Sequence, residues 1–155
     1  MIEVARRQRQ GGAGQTMFTF ESFSRRRTLV QRERLRVLVA EDHDAMRQCV
    51  VKILSNNFVV IGAVSDGAAL TEAAVCLNPD VIVSDVEMPR LSGIEAMNKL
   101  NAAGTNIPFV FISSDQYLVK HMALTGRVCI QKLDMLSELE DAVVRIAADC
   151  EPVSQ

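Results

Sequence analysis

Apolar residues occur along this chain in two alternating patterns. Short unbroken runs cover Val37–Ala40, Phe58–Val64, Val81–Val83, Phe109–Ile112 and Val128–Ile130. They are rich in β-branched residues and do not alternate with polar ones, the pattern of strands buried on both faces of a parallel sheet. Between the runs the spacing becomes helical. Met46, Cys49, Val50, Ile53 and Leu54 fall at i, i+3, i+4, i+7 and i+8, and Leu70, Ala73, Ala74 and Leu77 repeat the stripe. Ile94, Met97 and Leu100 form a third, shortly after Ser92 as a cap, and Leu139, Ala142, Val143, Ile146 and Ala147 form the last. A weaker helix is predicted over Asp115–Ala123. Strands and helices in strict alternation predict repeated βαβ units with right-handed crossovers, an α/β doubly wound parallel sheet of five strands.

The alternation occupies residues 35–150, with a short tail at 151–155. Residues 1–34 read differently. Their segments QRQGGAGQ and SRRRTLVQRER are polar, Gly- and Arg-rich, and without a sustained period. The expectation is a basic extension without stable structure, with a contact arm or a transit peptide as the other readings. Charge divides at the same place. Residues 1–34 carry eight Arg against three Glu, a balance of +5, while residues 35–155 carry nine basic against sixteen acidic residues, a balance of -7. An acidic domain argues against direct nucleic-acid binding there. The longest apolar run is broken by Gly62 and too short for a bilayer, so no membrane span is expected. The four cysteines, Cys49, Cys76, Cys129 and Cys150, form no CxxC pair, and there are only two His, so a zinc site is not expected. They read as small buried apolar residues in a reducing compartment. With no secretory h-region, the expected location is cytoplasmic.

The polar residues at the strand ends carry the chemistry. The first run ends in Glu41 and Asp42, the third in Asp85 and the fourth in Ser113, and Lys132 follows the fifth. In an open parallel sheet all carboxyl ends lie along one edge, where ligands bind at the switch point of strand order. Three carboxylates, a hydroxyl and an ammonium are thereby predicted in one crevice. Clustered acids repel one another, and a hard divalent cation such as Mg²⁺ relieves that repulsion. With the charge neutralised by the cation and Lys132, a phosphorylated ligand can approach Asp85.

The segments VLVAEDHDAMR, VIVSDVEMPRLSGIEAM, IPFVFISS and CIQKLDMLSEL resemble the motifs of response-regulator receiver domains, over about residues 35–148. The resemblance implies a flavodoxin-like fold with strand order 2-1-3-4-5. It implies that Asp85 accepts a phosphoryl group from a histidine kinase or phosphotransfer protein. Glu41, Asp42 and Asp85, with the backbone carbonyl of Glu87, would hold Mg²⁺. Ser113 would be the switch hydroxyl and Lys132 the lysine facing the phosphoryl group. NNFVVIGAVSDG resembles receivers that carry a DNA-binding domain, but no second apolar-periodic block follows. A stand-alone phosphoacceptor signalling through protein contacts is the expectation, and not a turnover enzyme.

Three departures from the family pattern fall near Lys132. Leu133 stands where the family has proline, and a cis bond before Leu costs about 3 kcal/mol, so a trans loop is expected. Cys129 replaces the family's aromatic residue, and the span from Ser113 to Lys132 is short, which predicts a shortened fourth helix. They motivate a second reading, a binding module that no longer needs phosphate. A third is a Mg²⁺-dependent phosphate-ester hydrolase with Asp85 as nucleophile and Glu87 as general acid, against which stands the lack of a cap insertion. His43 reads as a cap residue, His121 and Tyr117 as residues of the weak helix, and the methionines as core filler, except Met88 in the loop after Asp85.

Overall fold

In a computed structural model, residues 34–150 are described, so all but the last residue of the basic extension and the tail at 151–155 lie outside the described residues. Five strands form: β1 (Arg36–Ala40), β2 (Val59–Val64), β3 (Val81–Asp85), β4 (Phe109–Ser113) and β5 (Val128–Gln131). The helices are α1 (Asp44–Leu54), α2 (Gly67–Leu77), α3 (Gly93–Ala102), α4 (Gln116–Leu124) and α5 (Met135–Asp149). One 3-10 turn, Lys132–Asp134, separates β5 from α5. The sheet is wholly parallel in the order β2-β1-β3-β4-β5.

Successive strand residues face opposite sides, so each continuous apolar run feeds two cores. Val37, Val39, Val81, Val83, Val110 and Ile112 face α1 and α5, against Val50, Leu54, Leu139 and Val143. Leu38, Ala40, Ile82, Phe109 and Phe111 face α2, α3 and α4, against Leu70, Ala74, Ala96, Leu100 and Met122. α4 contributes one buried residue, Met122, and at nine residues is the shortest α-helix described.

Several expectations change with position in the sheet. Burial on both faces holds for β3 and β4, whose residues are all buried. It fails for β2, where no residue is fully buried and Val59 is 43% exposed, because β2 is an edge strand. Phe58 is buried but precedes the strand; its N–H turns back to the Leu54 carbonyl at 2.9 Å. On α3 the buried stripe is Gly93, Ala96 and Leu100, with Ile94 and Met97 only half-buried, because the small residues face the sheet. The buried-cysteine expectation is overturned: Cys49, Cys76 and Cys150 are exposed and Cys129 is half-buried. Cys49 and Cys76 sit on helices beside the buried stripe rather than within it.

Polar caps start the helices just beyond the strand ends. His43 accepts the Met46 N–H, Asp66 those of Ala68 and Ala69, and Asp115 those of Tyr117 and Leu118. Ser92 and Glu95 form a reciprocal capping box that starts α3. Replacing Ser92 by alanine is expected to destabilise the domain by about 1 kcal/mol, read as a lower urea midpoint at unchanged slope.

Candidate functional site

The strand order reverses between β1 and β3, so their carboxyl ends border the crevice of the sheet. Carboxylate oxygens of Glu41, Asp42 and Asp85 all lie within 4.8 Å of one another there. Glu41 and Asp85 are buried, while Asp42 is exposed. Lys132 enters from beyond β5. Its Nζ lies 2.9 Å from Asp85 Oδ2 and 2.9 Å from Glu41 Oε2. The first contact is a hydrogen bond. The second is an ion pair without hydrogen-bond alignment, and Glu41 Oε2 is left a buried acceptor with no hydrogen-bond partner.

Two acidic loops hold this arrangement. Glu41 Oε1 accepts the His43 N–H at 3.2 Å, and Arg47 of α1 donates to the Glu41 carbonyl at 2.9 Å while pairing with Asp44. After β3, Asp85 Oδ1 accepts the Glu87 N–H at 3.1 Å, and the Gly93 N–H returns to the Val86 carbonyl at 3.0 Å. The buried Ser84 hydroxyl donates to the Asp85 carbonyl at 2.9 Å. Asp85 is therefore fixed from its side chain and from its backbone.

The electrostatics follow from burial. Desolvation pushes the Glu41 carboxyl above its ordinary pKa, and the Asp85 charge adds to this against the opposing pull of Lys132 and the His43 N–H. Burial works against the Lys132 charge too, but its two carboxylate neighbours outweigh it and raise its pKa. Three carboxylates against one ammonium leave two formal negative charges. That excess charge, on carboxylate oxygens within 4.8 Å of one another, fits a hard divalent cation.

The other sequence-derived residues have distinct placements. Ser113 is buried at the end of β4, beside Gln131 of β5, and its hydroxyl accepts the Asp115 N–H at 3.0 Å. Among the described residues no hydrogen bond joins it to Asp85. Glu87 is exposed. Leu133 follows a trans peptide, as every described peptide bond is trans, and its side chain is 86% exposed. Lys132 reaches both acids regardless. Cys129 packs beside the core on the α4 face, and burial, with the Asp85 charge, pushes its thiol up to about 11. It is thus a neutral thiol at neutral pH. Met88, set apart from the core methionines, is itself buried in the core. Tyr117 and His121 are exposed.

Known proteins share this fold. The response regulator receiver domain family matches residues 37–144. The chain belongs to that family. The chain is 29% identical to the signal receiver domain of the putative response regulator NarL from Mycobacterium tuberculosis, with a TM-score of 0.67 over 75% of this chain and 98% of that one. The response regulator domain of Thermotoga maritima CheB is 27% identical, with a TM-score of 0.65 over 77% of this chain and 100% of that one. A protein-glutamate methylesterase/protein-glutamine glutaminase of Nocardioides sp. is 32% identical over 66% of this chain. The matched part of this receiver spans only 26% of the methylesterase's length. No described helix of the receiver is long and apolar enough to cross a membrane.

Two arginines near the site escaped the sequence reading. Arg47 stands three residues after Asp44 on α1, a spacing that identifies a helical ion pair but not its bond to the Glu41 carbonyl. Arg90 pairs with Asp66, 24 residues earlier, and nothing in the local sequence marks that contact.

Proposed function

We propose that this receiver accepts a phosphoryl group on Asp85 from a histidine kinase or phosphotransfer protein, with Mg²⁺, and passes the change on by protein contact. The observation that supports it best is the Lys132 ammonium lying 2.9 Å from both Glu41 and Asp85. Glu41, Asp42, Asp85 and the backbone carbonyl of Glu87 are the proposed metal ligands. The bound cation would supply Lewis-acid stabilisation of the phosphoryl oxygens.

The remaining chemistry falls to side chains. An Asp85 carboxylate oxygen forms the new bond to phosphorus as the donor's bond to phosphorus breaks and the donor keeps that electron pair. Lys132 faces the negative charge on the transferring oxygens. The aspartyl phosphate adds roughly two negative charges at the sheet edge. Ser113 then exchanges its bond from the Asp115 N–H for one donated to the phosphate, which moves the start of α4.

The test is labelling of the chain by a small phosphodonor such as acetyl phosphate, with and without Mg²⁺. Mg²⁺-dependent incorporation at one site is expected, and incorporation unaffected by a chelator would overturn the reading. A second prediction needs no phosphate. Mg²⁺ at a hundred times its dissociation constant is expected to stabilise the wild type by about 2.7 kcal/mol. In Asp42→Asn, which alters an exposed ligand and leaves the core intact, most of that gain should vanish from thermal melts. An equal Mg²⁺ response in the variant would remove Asp42 from the ligand set.

A further inference from the structure

The loop between Asp85 and α3 contains an unusual backbone feature. The Leu91 N–H bonds to the Pro89 carbonyl at 2.8 Å, closing a three-residue turn with Arg90 at its centre. Arg90 sits at φ 67°, one of two non-glycine residues at positive φ among those described. A side chain at the centre of such a turn is strained. Strain of this kind persists only when the surroundings hold it.

The surroundings here are the start of α2. Asp66 is buried and divides its two oxygens between two tasks. Oδ1 accepts the N–H groups of Ala68 and Ala69, both at 2.9 Å, which caps α2. Oδ2 accepts from the Arg90 guanidinium. The next residue, Gly67, abuts the turn so closely that a Cβ there would lie 2.2 Å from the Leu91 carbonyl oxygen. The α2 start and the Arg90 turn are thus held in one geometry by an ion pair and by backbone contact. Glu87, whose carbonyl is the proposed metal ligand, lies three residues before Arg90 in the same loop.

We propose that Asp66 is a positioning residue: through Arg90 it holds the loop after Asp85 in its strained turn, and so sets the place of the Glu87 backbone at the metal site. This rests on the phosphoacceptor reading for its metal, though not for its turn. Asp66 is not one of the proposed metal ligands, and its carboxylate is taken up by the α2 start and Arg90. Its capping oxygen and its pairing oxygen are separable by substitution, because asparagine caps helices as well as aspartate does.

Four variants test this: Asp66→Asn, Arg90→Ala, Arg90→Gly and the double Asp66→Asn/Arg90→Gly. Asp66→Asn keeps the cap and loses the pair. Arg90→Ala loses the pair and keeps the strained Cβ. Glycine adopts the turn without strain and so needs no clamp. Two readouts are used, calorimetric Mg²⁺ binding and amide hydrogen exchange at Leu91. In Asp66→Asn and Arg90→Ala, Mg²⁺ affinity should fall about 10-fold, the size typical of residues that orient metal ligands, and Leu91 exchange should accelerate by a similar factor. In Arg90→Gly and the double variant both should return to within about twofold of wild type, by the same glycine reasoning. A merely structural role for Asp66 would lower thermal stability without rescue by Arg90→Gly. Unchanged Leu91 exchange in Asp66→Asn and Arg90→Ala would overturn the clamp. Faster exchange with unchanged Mg²⁺ affinity would overturn its positioning role. A wild type that binds no Mg²⁺ would instead sink the phosphoacceptor reading, and the exchange data would still decide the clamp.

Discussion

In the Asp85→Asn variant, Mg²⁺-dependent labelling by a small phosphodonor is expected to fall to background, at least about 100-fold below wild type. Asparagine keeps the shape of the side chain and the acceptor for the Glu87 N–H, so β3 and its loop should persist, which circular dichroism would check. What disappears is the anionic oxygen. Oδ2 of Asp85 carries the charge that Lys132 meets at 2.9 Å, and an amide nitrogen there offers no nucleophilic lone pair. The other two acids of the cluster cannot substitute. Glu41 is buried against Lys132 with its charged form disfavoured by desolvation, and Asp42 sits one residue further along an exposed turn. Label retained at wild-type level in Asp85→Asn would place the acceptor elsewhere and end the site assignment.

The second large effect is expected from the smallest residue near the site. A Cβ at Gly93 would lie 2.3 Å from the Asp85 carbonyl oxygen and 2.7 Å from Ser84 Oγ. Both are fixed: the hydroxyl donates to that same carbonyl, and the Gly93 N–H is committed to Val86. Neither neighbour is the free end of a flexible chain, so Gly93→Ala must open the end of β3 or shift α3. Overpacking of this kind costs about 3 kcal/mol, which lowers the melting temperature by roughly 10 °C in a domain of this size. Labelling should fall as well, because the displaced backbone carries Asp85. Gly104→Ala is the control. Its φ is 82° but nothing lies within 4 Å of the added Cβ, so only backbone strain of about 1 kcal/mol is expected, with labelling intact. Equal melting temperatures for the two variants would show that the close approach at Gly93 is tolerated.

These predictions combine what the sequence makes legible with what it does not. The sites of Glu41, Asp42, Asp85 and Lys132 follow from order alone: each stands at or just past the carboxyl end of a run, and a parallel sheet brings those ends to one edge. The same logic places Ser113 at that edge without revealing that its hydroxyl is already bonded to the Asp115 N–H. Near Lys132 the sequence anticipates a trans chain before Leu133 but not the 3-10 turn that helps bring Nζ onto both acids. The cysteines misled, since an apolar residue type says little about which side of an element it occupies.

The sequence by itself determined the alternation of strand and helix, the parallel pairing of the strands and the meeting of acids at the sheet's edge. Those properties rest on local period and on topological rules that hold whatever the side chains touch. Only the tertiary structure decided which oxygen of each acid is engaged, that Lys132 bridges two carboxylates, and that Asp66 reaches Arg90 across 24 residues. Such pairings depend on ångström-scale placement of segments distant in sequence. No pattern within either segment encodes that distance, and it exists only once the helices have packed on the sheet.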